Sequence, residues 1–209
     1  YRHVQTTQKE NFSENGNEVA WGTIGNASTS EGLFFETINA AGVLQVPMVI
    51  SVWDDEYGIS VHAKHQTTKE NISEILSGFQ RTEDANGYEI IRVNGWDYPA
   101  LIEAYERAGK IAREEHIPVL VHVLELTQPQ GHSTSGSHER YKNEERLAWE
   151  RAHDCNVKFK EWIIAQGLAT QEELDLIDKG IKKEVRDGKK ASWNAFSYPT
   201  QTEQQKVLS

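Results

Sequence analysis

The residues of this sequence best equipped for chemistry fall in three short segments. Gly25-Asn26-Ala27-Ser28 stands where a strand-like run gives way to a helical pattern, Asp54-Asp55-Glu56-Tyr57-Gly58 follows a second apolar run, and Gln130-Gly131-His132-Ser133-Thr134-Ser135 lies in a polar stretch. Together they offer amide and carboxylate oxygens, a backbone carbonyl, a helix amino terminus and an imidazole. Oxygen donors of this kind suit a hard cation such as Mg²⁺, which takes one or two protein carboxylates and completes its octahedron with phosphate and water. A helix amino terminus beside it receives the phosphate on free backbone N–H groups. The segments read as a Mg²⁺-bridged diphosphate site, with Asn26 and Asp55 as side-chain ligands and Tyr57 supplying its carbonyl. The plainer alternative is a turn asparagine at 26, solvated corner acids at 54 and 55, and a mobile-loop histidine at 132. Asp54 fits that plainer description best.

Such a site exists only if the fold brings the segments together. Strand-like runs over residues 18–24, 48–53, 88–93 and 119–126 alternate with helical patterns. The first follows a turn-rich Asn15-Gly16-Asn17. This alternation marks βαβ units, hence an α/β fold with a doubly wound, mostly parallel sheet covered by helices on both faces. A capping-box pattern, Ser28-x-x-Glu31, opens a helix with Leu33, Phe34, Ile38, Ala41 and Leu44 at helical spacing. A short helix follows around residues 71–79, and Pro99 starts another with Leu101, Ile102, Tyr105, Ala108 and Ile111 on one face. Residues 127–143 show no periodicity and read as a functional or mobile loop. Helices are expected over 155–166, stopped by Gly167, and over 170–186, opened by a second capping box, Thr170-x-x-Glu173. Phe159, Trp162 and Ile163 read as core packing. In open parallel sheets ligands bind outside the carboxyl ends of the strands, which is where all three segments fall.

Composition narrows the function classes. The 209 residues carry 22 Lys and Arg against 32 Asp and Glu, a net charge of -10, which disfavours backbone-driven nucleic-acid binding. The single Cys155 allows neither an intramolecular disulfide nor a cysteine zinc cluster and points to a reducing, cytoplasmic setting. His62 and His65 have metal-pair spacing but no third ligand in view. The longest apolar run, residues 46–53, is broken by Pro47 and Ser51 and falls far short of the about 20 residues that span a bilayer. No nucleic-acid or membrane partner is expected. The opening at Tyr1, without methionine, suggests that upstream residues are missing.

Ordered motifs at compatible spacing then narrow the family. Gly25-Asn26-Ala27-Ser28-Thr29-Ser30-Glu31-Gly32, followed by Asn39-Ala40-Ala41, Pro47-Met48-Val49-Ile50 and Tyr57-Gly58-Ile59-Ser60, resembles the thiamine-diphosphate motif of the decarboxylating component of 2-oxo acid dehydrogenase complexes, alpha-type chain. The family motif opens with Gly-Asp-Gly or Gly-Glu-Gly and closes in Asn-Asn. Arg92-Val93-Asn94-Gly95-Trp96-Asp97 resembles the family's Val-Asp-Gly-Asn-Asp, and Gly131-His132-Ser133-Thr134-Ser135 resembles its His-Ser-Thr-Ser loop, with Tyr141 following. The likeness runs from about Tyr1 to Arg186.

The resemblance implies that Asn26, Asp55 and the Tyr57 carbonyl hold Mg²⁺, that Gly25, Ala27 and Ser28 lie along the diphosphate of thiamine diphosphate, and that Ile59 packs near its rings. It implies a catalytic role for His132, with Ser133 beside it, in orienting or protonating the reacting species and in acyl transfer to lipoamide. Ser133 and Ser135 match positions phosphorylated in some relatives. There are departures. The family's acid-then-amide ligand order is exchanged here, keeping a ligand charge of −1. Trp53 and Gln128 replace common arginines, and His62 replaces a usual proline.

On the same resemblance, residues 1–189 form a partial thiamine-diphosphate-binding domain with an active-site loop at 128–143 and C-terminal helices at 155–186. Residues 190–209 form a polar tail or linker. The expected partners are a beta-type transketolase-like domain that supplies the activating glutamate, a lipoyl acyltransferase, and a small 2-oxo acid. The apolar helix over residues 33–44 would suit a homo-oligomer interface. The fragment alone is expected to be inactive. A transketolase-type transfer enzyme, from which the His-Ser-Thr-Ser loop differs, and an assembly module without cofactor remain as alternatives.

Overall fold

The computed structural model describes residues 9–13, 16–132 and 137–208. The chain falls into two compact units, the first ending at Phe159 and the second starting at Lys160. In the first, β1 (Ala20–Gly25), β2 (Met48–Trp53), β5 (Glu89–Asn94) and β6 (Val119–Leu124) form a four-stranded sheet in the order β1-β2-β6-β5. All three neighbouring pairs are parallel, with Gly25 opposite Trp53 and Trp53 opposite Val123. Two short strands, β3 (Tyr57–Gly58) and β4 (Val61–His62), make a separate antiparallel hairpin just after β2.

Alternation along the strands sorts the core into two layers. Val49, Val119, Val121 and Val123 pack with Ala104 and Ala108 of α3 (Tyr98–Lys110) on one face. Ile50, Val52 and Leu120 pack with Phe34 and Ile38 of α1 (Gly32–Leu44) and with Ile72 of α2 (Ile72–Ile75) on the other. The central strands are almost wholly apolar because both faces are covered, as a doubly wound sheet requires. The α/β fold read from the sequence is therefore the fold of the chain.

Several local expectations need correction. The capping box Ser28-x-x-Glu31 does not form. Residues Asn26–Ser30 make a 3-10 turn closed by the Thr29 hydroxyl, which donates to the Asn26 carbonyl at 2.6 Å, and α1 starts only at Gly32. The helix at 98 is capped by Asp97, whose carboxylate accepts from the Ala100 N–H at 3.1 Å. Strand β6 stops at Leu124, since Glu125 takes a left-handed φ of 55° that turns the chain away. Just after the stretch expected to be aperiodic, in a segment for which no helix was expected, α4 (Glu144–Ala152) forms, capped by Asn143. It buries Leu147 and Glu150 rather than an apolar stripe, so hydrophobic periodicity gives it no signal.

In the second unit α6 runs over Gln171–Leu208, through Pro199 and through the residues expected to be a tail. Lys, Gln, Glu and Ala are good helix formers, which accounts for helix in a polar stretch. The second capping box does form: the Glu173 N–H donates to the Thr170 hydroxyl at 3.2 Å and the Thr170 N–H to the Glu173 carboxylate at 2.8 Å. Helix α5 (Cys155–Ala165) buries none of its residues, so Phe159, Trp162 and Ile163 are half-buried rather than core. No described helix is long and apolar enough to cross a membrane.

Candidate functional site

At the carboxyl ends of β1, β2 and β6 an open cleft of about 660 Å³ is lined by Gly25, Asn26, Ala27, Ser28, Asp55, Tyr57, Ile59 and His132, together with Trp53, Thr127 and Gln128. Every described residue named from the sequence as a ligand, a phosphate contact or the catalytic histidine lines this one cleft. Ser133 and Ser135 lie outside the described residues. No lysine or arginine contributes to the described lining. An anion in this cleft would therefore need a cation brought with it.

The floor is made by close approach. Gly58 lies so near the turn that a Cβ there would come within 2.8 Å of the Ala27 Cβ and 2.7 Å of Gln66 Oε1. At Gly25 the space a Cβ would take is open, which leaves room for a ligand against the backbone. The Asn26 side chain is buried, and its Nδ2 finds no hydrogen-bond partner in the protein. Such an orphan costs free energy until something polar meets it. Asp55 is also buried, and its Oδ1 accepts from the Tyr57 N–H at 3.1 Å. Burial pushes its carboxyl up from the ordinary 3.8, opposed by that hydrogen bond and by Lys142. Among the described residues no three His, Cys, Asp or Glu side chains gather to hold an ion.

Asp54 is not a solvated corner acid. It is 4% exposed, with one carboxylate oxygen 2.8 Å from His122 Nε2 and the other accepting from the Glu56 N–H at 2.8 Å. The adjacent acids thus diverge, one into the protein and one onto the cleft.

Behind Tyr57 lies a network that sequence reasoning missed. Lys142 and Glu150 are buried and paired at 2.7 Å, and Arg146 Nε joins the same carboxylate at 2.9 Å. Arg146 also pairs with Glu56 and donates to the Asp55 carbonyl at 3.2 Å. Lys142 Nζ sits 4.8 Å from the centre of the Tyr57 ring, which packs on Tyr141 at 5.5 Å and edge-on to His62 at 5.1 Å. Burial raises the pKa of the Tyr57 hydroxyl, and does the same for Tyr141 against a hydrogen bond that the His132 backbone N–H donates to its hydroxyl oxygen. The available signal was the four-residue spacing of Arg146 and Glu150 on one face of α4, with Lys142 four residues earlier, ahead of the cap.

The chain matches the dehydrogenase E1 component family over residues 5–201. It belongs to that family. Over 164 residues it is 28% identical to the 2-oxoisovalerate dehydrogenase subunit alpha 1, mitochondrial, of Arabidopsis thaliana, covering 78% of this chain and 33% of that protein. It is 30% identical over 158 residues to the pyruvate dehydrogenase E1 component subunit alpha of Porphyra purpurea, covering 76% of this chain and 43% of that one. A chloroplastic pyruvate dehydrogenase E1 component subunit alpha-3 from Oryza sativa subsp. japonica is 28% identical over 187 residues, 90% of this chain and 41% of its own. The chain thus spans less than half of each of these relatives. In this member of the dehydrogenase E1 component family, Trp53 and Gln128, the positions where arginines were expected, both line the cleft. His62 accepts from the Lys64 N–H through Nδ1 at 3.2 Å.

Proposed function

We propose that the chain carries the metal and diphosphate half of a thiamine-diphosphate site, and that the whole protein oxidatively decarboxylates a 2-oxo acid and passes the acyl group to lipoamide. The observation that carries this reading is the single cleft lined by Gly25, Asn26, Ala27, Ser28, Asp55, Tyr57, Ile59 and His132 in a chain of this family. The residues fit the group. The unpartnered Asn26 Nδ2 is a donor that a phosphate oxygen would satisfy, the buried Asp55 carboxylate would gain from a cation, and a lining without lysine or arginine would take its positive charge from that ion.

Asn26, Asp55 and the Tyr57 carbonyl would hold Mg²⁺, which needs few protein carboxylates when phosphate oxygens complete its shell. Gly25, Ala27 and Ser28 would lie along the diphosphate, and Ile59, 59% exposed, would pack on the cofactor's rings. When bound, thiamine diphosphate supplies the carbanion-stabilising chemistry. His132, exposed at the cleft mouth and tethered through its backbone to Tyr141, would hold a proton or a hydrogen bond against the substrate oxygen, with Ser133 beside it. We place the domain at residues 1–189 with its active-site loop at 128–143, and the setting in the cytoplasm. Leu33, Val43 and Leu44 of α1, each well exposed, suit contact with a second subunit or a beta-type domain.

The test is turnover by the full-length protein, with its partners, on pyruvate and branched-chain 2-oxo acids. Replacing His132 by Ala is expected to lower kcat by about 10²- to 10⁴-fold, the usual loss for a proton-transfer group. Cofactor affinity should hold. An unchanged kcat would remove His132 from the mechanism.

A further inference from the structure

His122 lies in the middle of β6, wholly buried among valines and leucines, where an apolar side chain would fill the space at no polar cost. Both of its ring nitrogens are nevertheless met. Nε2 is 2.8 Å from Asp54 Oδ2, and Nδ1 is 3.0 Å from the Ser73 hydroxyl. Ser73, itself buried, is tied to the Asn71 side chain at 2.9 Å, and the same Asn71 oxygen caps α2 through the Glu74 N–H.

The consequence falls on the turn after β2. Residue 54 uses every polar group it has: its N–H donates to the Val123 carbonyl at 2.9 Å, its carbonyl accepts from the Leu126 N–H at 3.0 Å, and its carboxylate holds His122 and the Glu56 N–H. The next turn residue, Glu56, has a φ of 67°, a left-handed conformation that a glutamate adopts at a cost. A strained residue of this kind persists only where its surroundings over-determine it. That conformation sets where the Tyr57 carbonyl points and, with the 54 side chain turned inward, leaves the Asp55 carboxylate on the cleft.

We propose that His122, anchored by Ser73 and acting through Asp54, is a positioning residue that holds Asp55 and the Tyr57 carbonyl in place for the metal. This rests on reading the cleft as a thiamine-diphosphate and Mg²⁺ site. The role differs from core filling, since it depends on a donor at position 122 and not on volume alone.

The experiment measures the affinity for thiamine diphosphate with Mg²⁺, by calorimetry, in the full-length protein and in His122→Leu and His122→Gln. Amide hydrogen exchange at Glu56 and Tyr57 is followed in the cofactor-free state of each. Leucine fills the space without a donor, whereas glutamine can still donate to Asp54. His122→Leu is expected to weaken binding by about 10- to 100-fold, the range for losing a partner of a metal ligand shell. Exchange at the two amides should quicken with it, and His122→Gln should restore most of both. Equal behaviour of the two variants, or wild-type affinity and exchange in His122→Leu, overturns the proposal and leaves the cofactor reading intact. Absence of binding by the wild type overturns the cofactor reading and the proposal with it. If His122→Leu does not fold, Ser73→Ala carries the test: weaker binding with faster exchange supports the proposal, and wild-type values overturn it.

Discussion

Arg146 donates to the backbone carbonyl of Asp55 across 3.2 Å, although the two residues stand 91 apart in the sequence. This contact joins α4 to the turn that presents the candidate metal ligands, and it draws Glu56 and Glu150 into the same cluster. The turn is thereby held from two sides, by Arg146 on its outer surface and by His122 through Asp54 within the sheet.

The buried Lys142–Glu150 pair bears the greatest energetic risk in that cluster. Removing one partner of a buried ion pair leaves the other charge desolvated and costs about 3–5 kcal/mol. Because Arg146 still reaches the Glu150 carboxylate at 2.9 Å, Lys142→Met is expected to destabilise the protein by about 3 kcal/mol, the lower end of that range, in urea unfolding. Pairing it with Glu150→Leu should recover a large part, because the buried carboxylate goes too and Arg146 keeps Glu56 as its partner.

Asp55 should show the trade between stability and function. Burial raises its pKa above 3.8, so the folded state prefers the protonated carboxyl. That preference stabilises fully below pH 3.8 and is lost as pH rises through the folded value. At neutral pH the bare carboxylate is a liability. Asp55→Asn should therefore raise the Tm of the cofactor-free protein at neutral pH, with the gain shrinking as the solution is acidified. With thiamine diphosphate and Mg²⁺ added, the order should reverse, since the variant keeps an oxygen ligand but loses the site's one ligand charge, and binding then stabilises the wild type more. Melting curves with and without ligand check both halves.

Gly58→Ala tests the close approach that shapes the cleft floor. The new methyl would press on the Ala27 Cβ, which sits on a short turn with little freedom to retreat. Overpacking of this sort costs about 1–3 kcal/mol. Chemical denaturation should show that loss, and cofactor affinity should fall with it because the moved turn carries Asn26.

How much of this was legible in the sequence depended on range. The apolar strands and the one-faced helix from Pro99 follow from local periodicity, and the ligand segments followed because they sit at strand ends. Asp54 read as solvated because its partner, His122, comes 68 residues later on another strand. A histidine in the middle of an apolar run was the trace of that partner. Helix α4 escaped notice because charge pairing, not an apolar stripe, buries Glu150. Ser28 and Glu31 have capping-box spacing, yet Ser28 lies in a 3-10 turn that Glu31 closes, and Gly58 of the hairpin packs against that turn at Ala27.

The central claim is that Asn26, Asp55 and Tyr57 form the metal and diphosphate half of a thiamine-diphosphate site. The most direct measurement is calorimetric titration of thiamine diphosphate into the full-length protein, with Mg²⁺ and with a chelator, in the wild type and in Asp55→Ala. The account predicts saturable binding by the wild type that requires Mg²⁺ and is lost in Asp55→Ala. No binding by the wild type, or equal binding by the variant, would contradict it.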